Sequence, residues 1–147
     1  MITIFTTAKS VDGHSGIIQR NARQSWKLLH PDFEVILFGD DEGAVKVCHE
    51  LTVRHEPRVV RDEFGLKRIQ YFFDRAQEIA EHDILCFANC DIILTSDFCR
   101  AVEQVRAIHS QSLVVGRHTT TAKRSWAEIE GDAEHPGENM ILCGRQE

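Results

Sequence analysis

The chain has 147 residues, long enough for one domain that buries about 68–70% of the surface exposed by its unfolded form. With 42% hydrophobic and 27% charged residues it has the composition of a globular protein, and no stretch approaches the roughly 20 apolar residues of a membrane span. The net charge of -6 argues against a nucleic-acid backbone as the main partner, although a bound divalent cation would still allow an anionic small ligand.

Segments typical of strands and helices alternate from the first residues onward. We predict strands at residues 2–7, 33–38, 52–55, 83–88, 113–116 and 141–143. Apolar residues at helical spacing predict helices over residues 16–29, 44–51, 66–81 and 95–108. Residues 58–65 are expected to be irregular, and residues 117–137 to contain at most a short helix near 126–129. This order predicts an α/β fold, a three-layer sandwich around a mostly parallel sheet, as one domain over residues 1–147.

Several local features of the helices are also predicted. Asp40 or Asp41 is expected to cap the second helix, and Thr95 or Ser96 the fourth. The apolar stripe of the third helix begins at Leu66 in this interpretation. Five residues of the fourth helix are expected to face the core: Phe98, Ala101, Val102, Val105 and Ile108.

The cysteines and the N-terminal segment indicate in which cellular compartment the protein is expected. The five cysteines form no C-x-x-C pair, and the eight histidines show no zinc-finger spacing, so a structural zinc site is disfavoured. Residues 1–10 lack the basic region and apolar core of a secretory signal. We therefore expect reduced thiols in a cytoplasmic protein.

The stretch from Asp83 to Leu94, DILCFANCDIIL, contains the first candidate site. Its apolar start shows no alternation, which is typical of a central parallel strand covered on both faces. Asn89 and Asp91 then interrupt the apolar run, and buried polar groups are costly unless they have partners. These oxygens either bind a ligand or metal at the strand end, or belong to turn residues that bond the backbone.

A second group of polar residues lies at the end of the first strand. If that strand lies beside residues 83–88 where the strand order reverses, Thr6, Thr7, Asn89 and Asp91 converge in one crevice. No G-x-G-x-x-G, P-loop or G-x-S-x-G motif is present, so glycine-cradle and nucleophile-elbow chemistries are disfavoured. Hard oxygen ligands such as Asp91, with Asn89 in support, suit Mg2+ or Mn2+.

These residues resemble a known family. Residues 87–94, FANCDIIL, resemble the Asn-x-Asp-Ile-Ile-Leu variant of the D-x-D element in GT-A-type glycosyltransferases, which have the nucleotide-diphospho-sugar transferase fold. The resemblance extends over roughly residues 2–118. The other agreeing segments are IFTT at 4–7, QRNA at 19–22, SW at 25–26, LFGD at 37–40 and LVVGR at 113–117.

The resemblance implies roles for individual residues. By position, Thr6, Thr7 and Asp40 would hold the nucleoside of a nucleotide-diphospho-sugar, although strand and capping roles explain them too. Asp91 and Asn89 would hold a divalent metal, Mn2+ or Mg2+, on the diphosphate. The expected activity is metal-dependent sugar transfer, and Asn89 departs from the acidic residue of the D-x-D pattern.

Two groups of basic residues complete the candidate site. Arg20 could orient the loop after the first strand, but a solvated helix face explains Arg20, Arg23 and Lys27 at least as well. Lys67 follows Gly65, where a helix start would present it to phosphates, and a surface role is the alternative.

The family normally continues into an acceptor-binding half, which this sequence is expected to lack. Two alternatives therefore stand beside a glycosyltransferase domain. One is a non-catalytic module that retained the nucleotide site. The other is a structural or interaction protein that kept only the fold and forms a homodimer through an exposed sheet edge.

Overall fold

A computed structural model describes residues 1–7, 13–117 and 138–144 of the chain. Its strands are β1 (Ile2–Thr7), β2 (Glu34–Phe38), β3 (Arg54–Glu56), β4 (Ile84–Phe87), β5 (Leu113–Arg117) and β6 (Glu138–Gly144). Its helices are α1 (Gly13–Leu29), α2 (Ala44–Leu51), α3 (Ile69–Ile79) and α4 (Ser96–Ile108). The short helix predicted near residues 126–129 lies outside the described residues. None of the described helices is long and apolar enough to cross a membrane.

The six strands of the described residues form one sheet in the order β3-β2-β1-β4-β6-β5. β1 pairs in parallel with both β2 and β4, and β2 pairs in parallel with β3. β6 runs antiparallel to its neighbours β4 and β5. The predicted, mostly parallel α/β sheet is thus confirmed. The strand order reverses between β1 and β4, which places the carboxyl ends of these two strands side by side.

Helices cover both faces of the sheet, which is why its central strands are apolar without alternation. On one face, Ile4 and Leu37 belong to a buried cluster with Trp26 of α1, Cys48 of α2 and Phe98 of α4. On the other face, residues of β1, β2 and β4 pack against α3 in a second cluster, whose buried members are Phe5, Ile36, Phe38, Phe72, Ala76 and Leu85. The three layers agree with the predicted sandwich.

The segment before α3 differs from its prediction. Residues 60–68, expected to be irregular and then helical, form a tight hairpin with an isolated bridge between Arg61 and Lys67. Its turn places Gly65 at a φ of 80°, in the left-handed region that favours glycine. The helix therefore begins at Ile69, and the predicted stripe is wrong at its start, since Leu66 is 66% exposed. We call residues 60–68 the 60–68 hairpin.

The predicted caps and core positions are partly corrected. α2 is preceded by Gly43 in a left-handed conformation without a side-chain cap, so the capping role of Asp40 or Asp41 was wrong. Thr95 does occupy the N-cap of α4, although its side chain makes no capping hydrogen bond. In α4, Phe98 and Val102 are buried as predicted, whereas Ile108 is 75% exposed. At about 100° per residue, Ile108 and the exposed Ala101 lie to one side of the buried stripe.

Candidate functional site

The element that interrupts the apolar run is a tight turn directly after β4. The Ile92 amide donates a hydrogen bond to the Asn89 carbonyl at 3.1 Å. Cys90, in the middle of the turn, is buried, whereas Asn89 and Asp91 on either side of it are exposed. Within the described ranges, neither of these two side chains makes a hydrogen bond or an ion pair. The oxygens of Asn89 and Asp91 therefore remain available to a ligand at the carboxyl edge of the sheet.

Two side chains of α1 hold the segment that follows this turn. The indole Nε1 of Trp26 donates to the Ile92 carbonyl at 2.9 Å, and Trp26 is fully buried. Ser25 Oγ accepts a hydrogen bond from the Leu94 amide at 3.3 Å while donating to the Ala22 carbonyl at 2.6 Å. Trp26 is thus both a core residue and a polar anchor, a combination common for buried tryptophans. These contacts position the turn that carries Asn89 and Asp91.

The end of β1 lies beside the same turn. Phe5 is opposite Phe87 in the parallel ladder, and the Ala88 amide donates to the Phe5 carbonyl at 3.2 Å. The predicted adjacency of the first strand and the central strand is therefore confirmed. Thr6 is fully buried, and in the described part of the chain its Oγ1 has no hydrogen-bond partner. Thr7, at the strand end, is half-buried.

The acidic residues after β2 contact the 60–68 hairpin. Arg61 Nη2 donates to Asp40 Oδ1 at 2.6 Å, and Lys67 forms an ion pair with Asp41. Desolvation acts to raise the pKa of the Asp40 carboxyl, but a backbone hydrogen bond, Arg61 and Lys67 together lower it below its ordinary value. Asp40 is therefore an ionised carboxylate near neutral pH. Sequence reasoning missed Arg61, because only the hairpin brings it to a residue so distant in sequence.

A further carboxylate in this region already has its partners. Glu56, at the end of β3, is buried and accepts hydrogen bonds from Arg75 Nε at 3.0 Å and the Arg58 amide at 3.1 Å. Burial acts to raise the pKa of Glu56, but these hydrogen bonds and the charges of Arg75 and Arg58 outweigh it and lower the pKa. Glu56 thus anchors the edge strand to α3 and has a structural role.

The basic residues of α1 have different environments. Arg20 is half-exposed and forms an ion pair with Glu50 of α2, at 3.4 Å between Nε and Oε2. Lys27 Nζ donates to the carbonyls of Pro31 and Phe33, and so binds the chain after the helix end. Arg23 is fully buried, so the interpretation of these residues as one solvated face was wrong for Arg23. Periodicity could have shown this, because Arg23 shares the face of Ala22 and Trp26.

Comparison with known proteins supports this fold. No family model and no curated protein matches the chain. It is similar to the crystal structure of S. aureus TarS 1–349, with a TM-score of 0.60 and 10% identity over 84% of this chain and 37% of that one. It is also similar to a protein from Desulfovibrio desulfuricans G20 named provisionally as a nucleotide-diphospho-sugar transferase, with a TM-score of 0.56 and 12% identity over 97% of this chain.

At these identities the likeness establishes the fold and nothing more. The chain has a GT-A-like α/β fold, in agreement with the fold expected from its sequence. It spans 37% of the length of the first structure and 63% of the length of the second.

Proposed function

We propose that this domain binds a nucleotide-diphospho-sugar together with a divalent cation at the carboxyl edge of its sheet, as part of a glycosyltransferase. The observation that carries the proposal is the exposed pair Asn89 and Asp91, without side-chain partners in the described ranges, where the strand order reverses beside β1. Open α/β sheets bind their ligands in the crevice at such a reversal. The name of the D. desulfuricans neighbour gives the ligand class.

The donor set fits Mg2+ or Mn2+ bound jointly with a phosphate ligand. Asp91 offers a carboxylate and Asn89 an amide oxygen, and both side chains are exposed. The described residues contain no group of three or more histidine, cysteine, aspartate or glutamate side chains that could hold a metal by themselves. Mg2+ commonly takes one or two carboxylates and completes its shell with water and substrate phosphates. Such a cation, when bound, would neutralise negative charge on the departing nucleoside diphosphate.

The chain's own residues would bind the rest of the ligand. Asp40, held ionised after β2, would accept hydrogen bonds from ribose hydroxyls, with Thr6 and Thr7 next to the nucleoside. The cations Arg61 and Lys67 of the 60–68 hairpin are paired with Asp40 and Asp41. They balance the charge of these two carboxylates, which would otherwise repel a diphosphate at the same edge of the sheet. Lys67 is the hairpin residue that we propose as a phosphate ligand.

Ligand-dependent unfolding tests the proposal. The melting temperature would be measured with a panel of nucleoside diphosphates and of UDP- and GDP-sugars, with and without Mn2+. A ligand at 100 times its dissociation constant adds about 2.7 kcal/mol to the free energy of unfolding. We expect a metal-dependent shift that disappears in Asp91→Ala and persists in Asp74→Ala, which removes an exposed carboxylate of α3. No shift with any nucleotide would contradict the proposal.

Sugar transfer needs a measurement separate from binding, because the chain spans only part of the length of its structural neighbours. A nucleotide-sugar that shifts the melting temperature would be incubated with the protein and Mn2+, and release of the nucleoside diphosphate would be followed. Release that is lost in Asp91→Ala supports an enzyme. Binding without release favours a module that keeps the nucleotide site and leaves chemistry to other parts of a larger protein.

A further inference from the structure

Arg23 is a buried cation for which the fold supplies no counter-charge among the described residues. Its side chain lies on the sheet-facing side of α1 with Ala22 and Trp26, and the residue is fully buried. None of its three nitrogens, Nε, Nη1 and Nη2, has a hydrogen-bond acceptor within the described ranges. Arg20, one turn earlier, is half-exposed and has the Glu50 carboxylate as its partner. The charge of Arg23 is therefore desolvated and, as far as the described residues go, unpaired.

The ionisable groups that act on Arg23 do not neutralise it. Burial lowers the pKa of the guanidinium, Cys90 and Cys48 act to raise it, and Arg20 lowers it. Burial also raises the pKa of the Cys48 thiol to about 11, so this thiol is neutral near pH 7. Arginine nevertheless stays protonated in proteins. Among the described residues, the ionisable groups that act on Arg23 are thus two thiols and a second cation.

The position of Cys90 relates Arg23 to the candidate site. Cys90 is the buried middle residue of the turn whose outer residues, Asn89 and Asp91, are exposed. The same helix holds the continuation of that turn through Trp26 and the Ile92 carbonyl. Because Cys90 acts on the pKa of Arg23 and both residues are buried, Arg23 lies near the inner side of this turn.

The layer between the sheet and α1 contains a second buried polar group that has no hydrogen-bond partner among the described residues. Side chains alternate along a strand, so Thr6 projects to the same face of the sheet as Ile4, which packs in the cluster that contains Trp26. Thr6 Oγ1 is buried without a hydrogen-bond partner among the described residues. A buried hydroxyl and a buried guanidinium that both lack partners in the described part of the chain are unusual, because native structures satisfy most buried polar groups.

We propose that Arg23 forms the inner part of an oxyanion site behind the Asn89–Asp91 turn, and that a phosphate group of the ligand supplies the counter-charge that the described residues do not provide. This rests on the proposed function for the identity of the ligand, but not for the existence of the anion site. An isolated buried charge is strongly unfavourable, whereas methionine or leucine would pack at this position with its apolar neighbours. A guanidinium is well suited to phosphate, because it can donate two parallel hydrogen bonds.

The test compares Arg23→Met, Arg23→Lys and wild type, with Arg106→Met as a control that removes an exposed arginine of α4. Melting temperatures without ligand and dissociation constants for inorganic pyrophosphate and for nucleoside diphosphates are measured in Mg2+. We expect Arg23→Met to melt about 3–8 °C higher than wild type without ligand. We expect it to bind the anions about 10- to 100-fold more weakly. Arg23→Lys keeps the charge but cannot donate two parallel hydrogen bonds, and it should bind the anions about 3- to 10-fold more weakly than wild type.

A direct readout separates ligand contact from a purely structural role. The Nε–H resonance of Arg23, identified by its absence in Arg23→Met, should shift when pyrophosphate is added to the wild-type protein. The resonances of exposed arginines such as Arg106 should shift much less. A resonance that stays unchanged at saturating anion would overturn the proposal.

The other outcomes are also decisive. If Arg23→Met binds the anions as tightly as wild type, the proposal is overturned, whatever the stability of the variant. If Arg23→Met does not fold, unchanged anion affinity in Arg23→Lys overturns the proposal instead. Pyrophosphate binding that needs Arg23, without binding of any nucleoside diphosphate, supports the oxyanion site and contradicts the nucleotide assignment. Nucleotide binding that is equal in all variants supports the proposed function and contradicts this inference alone. A wild-type chain that binds neither anion contradicts both.

Discussion

The two ends of the central sheet differ in how their polar side chains are satisfied. At the amino end, the Glu34 side chain is 7% exposed. It accepts hydrogen bonds from Thr3 Oγ1 at 2.6 Å, Arg54 Nη1 at 2.9 Å and the Glu81 amide at 2.8 Å. At the carboxyl end, the side chains of Asn89 and Asp91 are exposed and, in the part of the chain that the structure describes, bond to nothing.

This difference separates structural polar groups from those that a ligand can use. At the amino end, the Glu34 carboxylate links β1, β2, β3 and the segment after α3. The polar atoms of these elements therefore share one hydrogen-bond acceptor. The carboxyl end has exposed oxygens on the turn, and it also has two buried side chains, Thr6 and Arg23, whose polar atoms have no hydrogen-bond partner in the described part of the chain. Removing a side chain that has buried partners should therefore lower stability, and removing one that has none should lower ligand affinity. Three substitutions test this contrast.

The largest loss of stability is expected from Glu34→Ala. The substitution removes the acceptor for the buried Thr3 hydroxyl and the charge partner of Arg54. Unpaired buried groups carry their full desolvation penalty, so the free energy of unfolding should fall by about 3 kcal/mol. Urea unfolding would measure this as a lower midpoint with an unchanged m-value. Glu103→Ala, at an exposed position of α4, should stay within about 0.5 kcal/mol of wild type.

An intermediate, pH-dependent loss is expected from Glu56→Gln. Because the folded-state pKa of Glu56 is lowered from its ordinary value of 4.5, its stabilisation is present above that value and is lost as the pH falls through the folded pKa. At pH 7 the variant should be about 2 kcal/mol less stable than wild type, and the gap should close toward pH 3. Urea unfolding across this range provides the measurement.

Glu78→Gln is the matched control for this measurement. Glu78 binds the same guanidinium at 2.8 Å, but its side chain is 64% exposed, and exposed ion pairs contribute little. A stability gap for Glu56→Gln that remained constant down to pH 3 would show that Glu56 does not act through its charge. Glu56 also sharpens the comparison, because it lies at the carboxyl edge of the sheet, as Asp91 does, and yet has partners.

The smallest effect on stability is expected from Asp91→Ala. Asp91 is exposed and unpartnered within the described ranges, so its free energy of unfolding should change by no more than about 0.5 kcal/mol. The same variant should lose the metal-dependent nucleotide shift. A loss of stability above 1.5 kcal/mol without ligand would mean that Asp91 supports the turn, and the contrast between the two ends would then fail.

The sequence allowed the fold class to be predicted because its signals are local. The apolar runs of β1, β2 and β4 alternate with helical stripes, and this order is sufficient to predict a parallel α/β sheet. The polar interruption at Asn89 and Asp91 was equally visible, since it breaks an apolar run. Boundaries were less predictable where a distant contact intervened. The bridge between Arg61 and Lys67 delays the start of α3 to Ile69.

The sequence by itself determined which residues have oxygens to offer, and only the tertiary structure decided which of those oxygens and cations are paired. Asp40 contacts Arg61 through the 60–68 hairpin, and Trp26 bonds the Ile92 carbonyl across 66 residues of sequence. Arg23 looks like its neighbours Arg20 and Lys27 in the sequence, yet it alone of these three is fully buried. Pairing and desolvation depend on distances through space, which the spacing of residues along one chain does not fix.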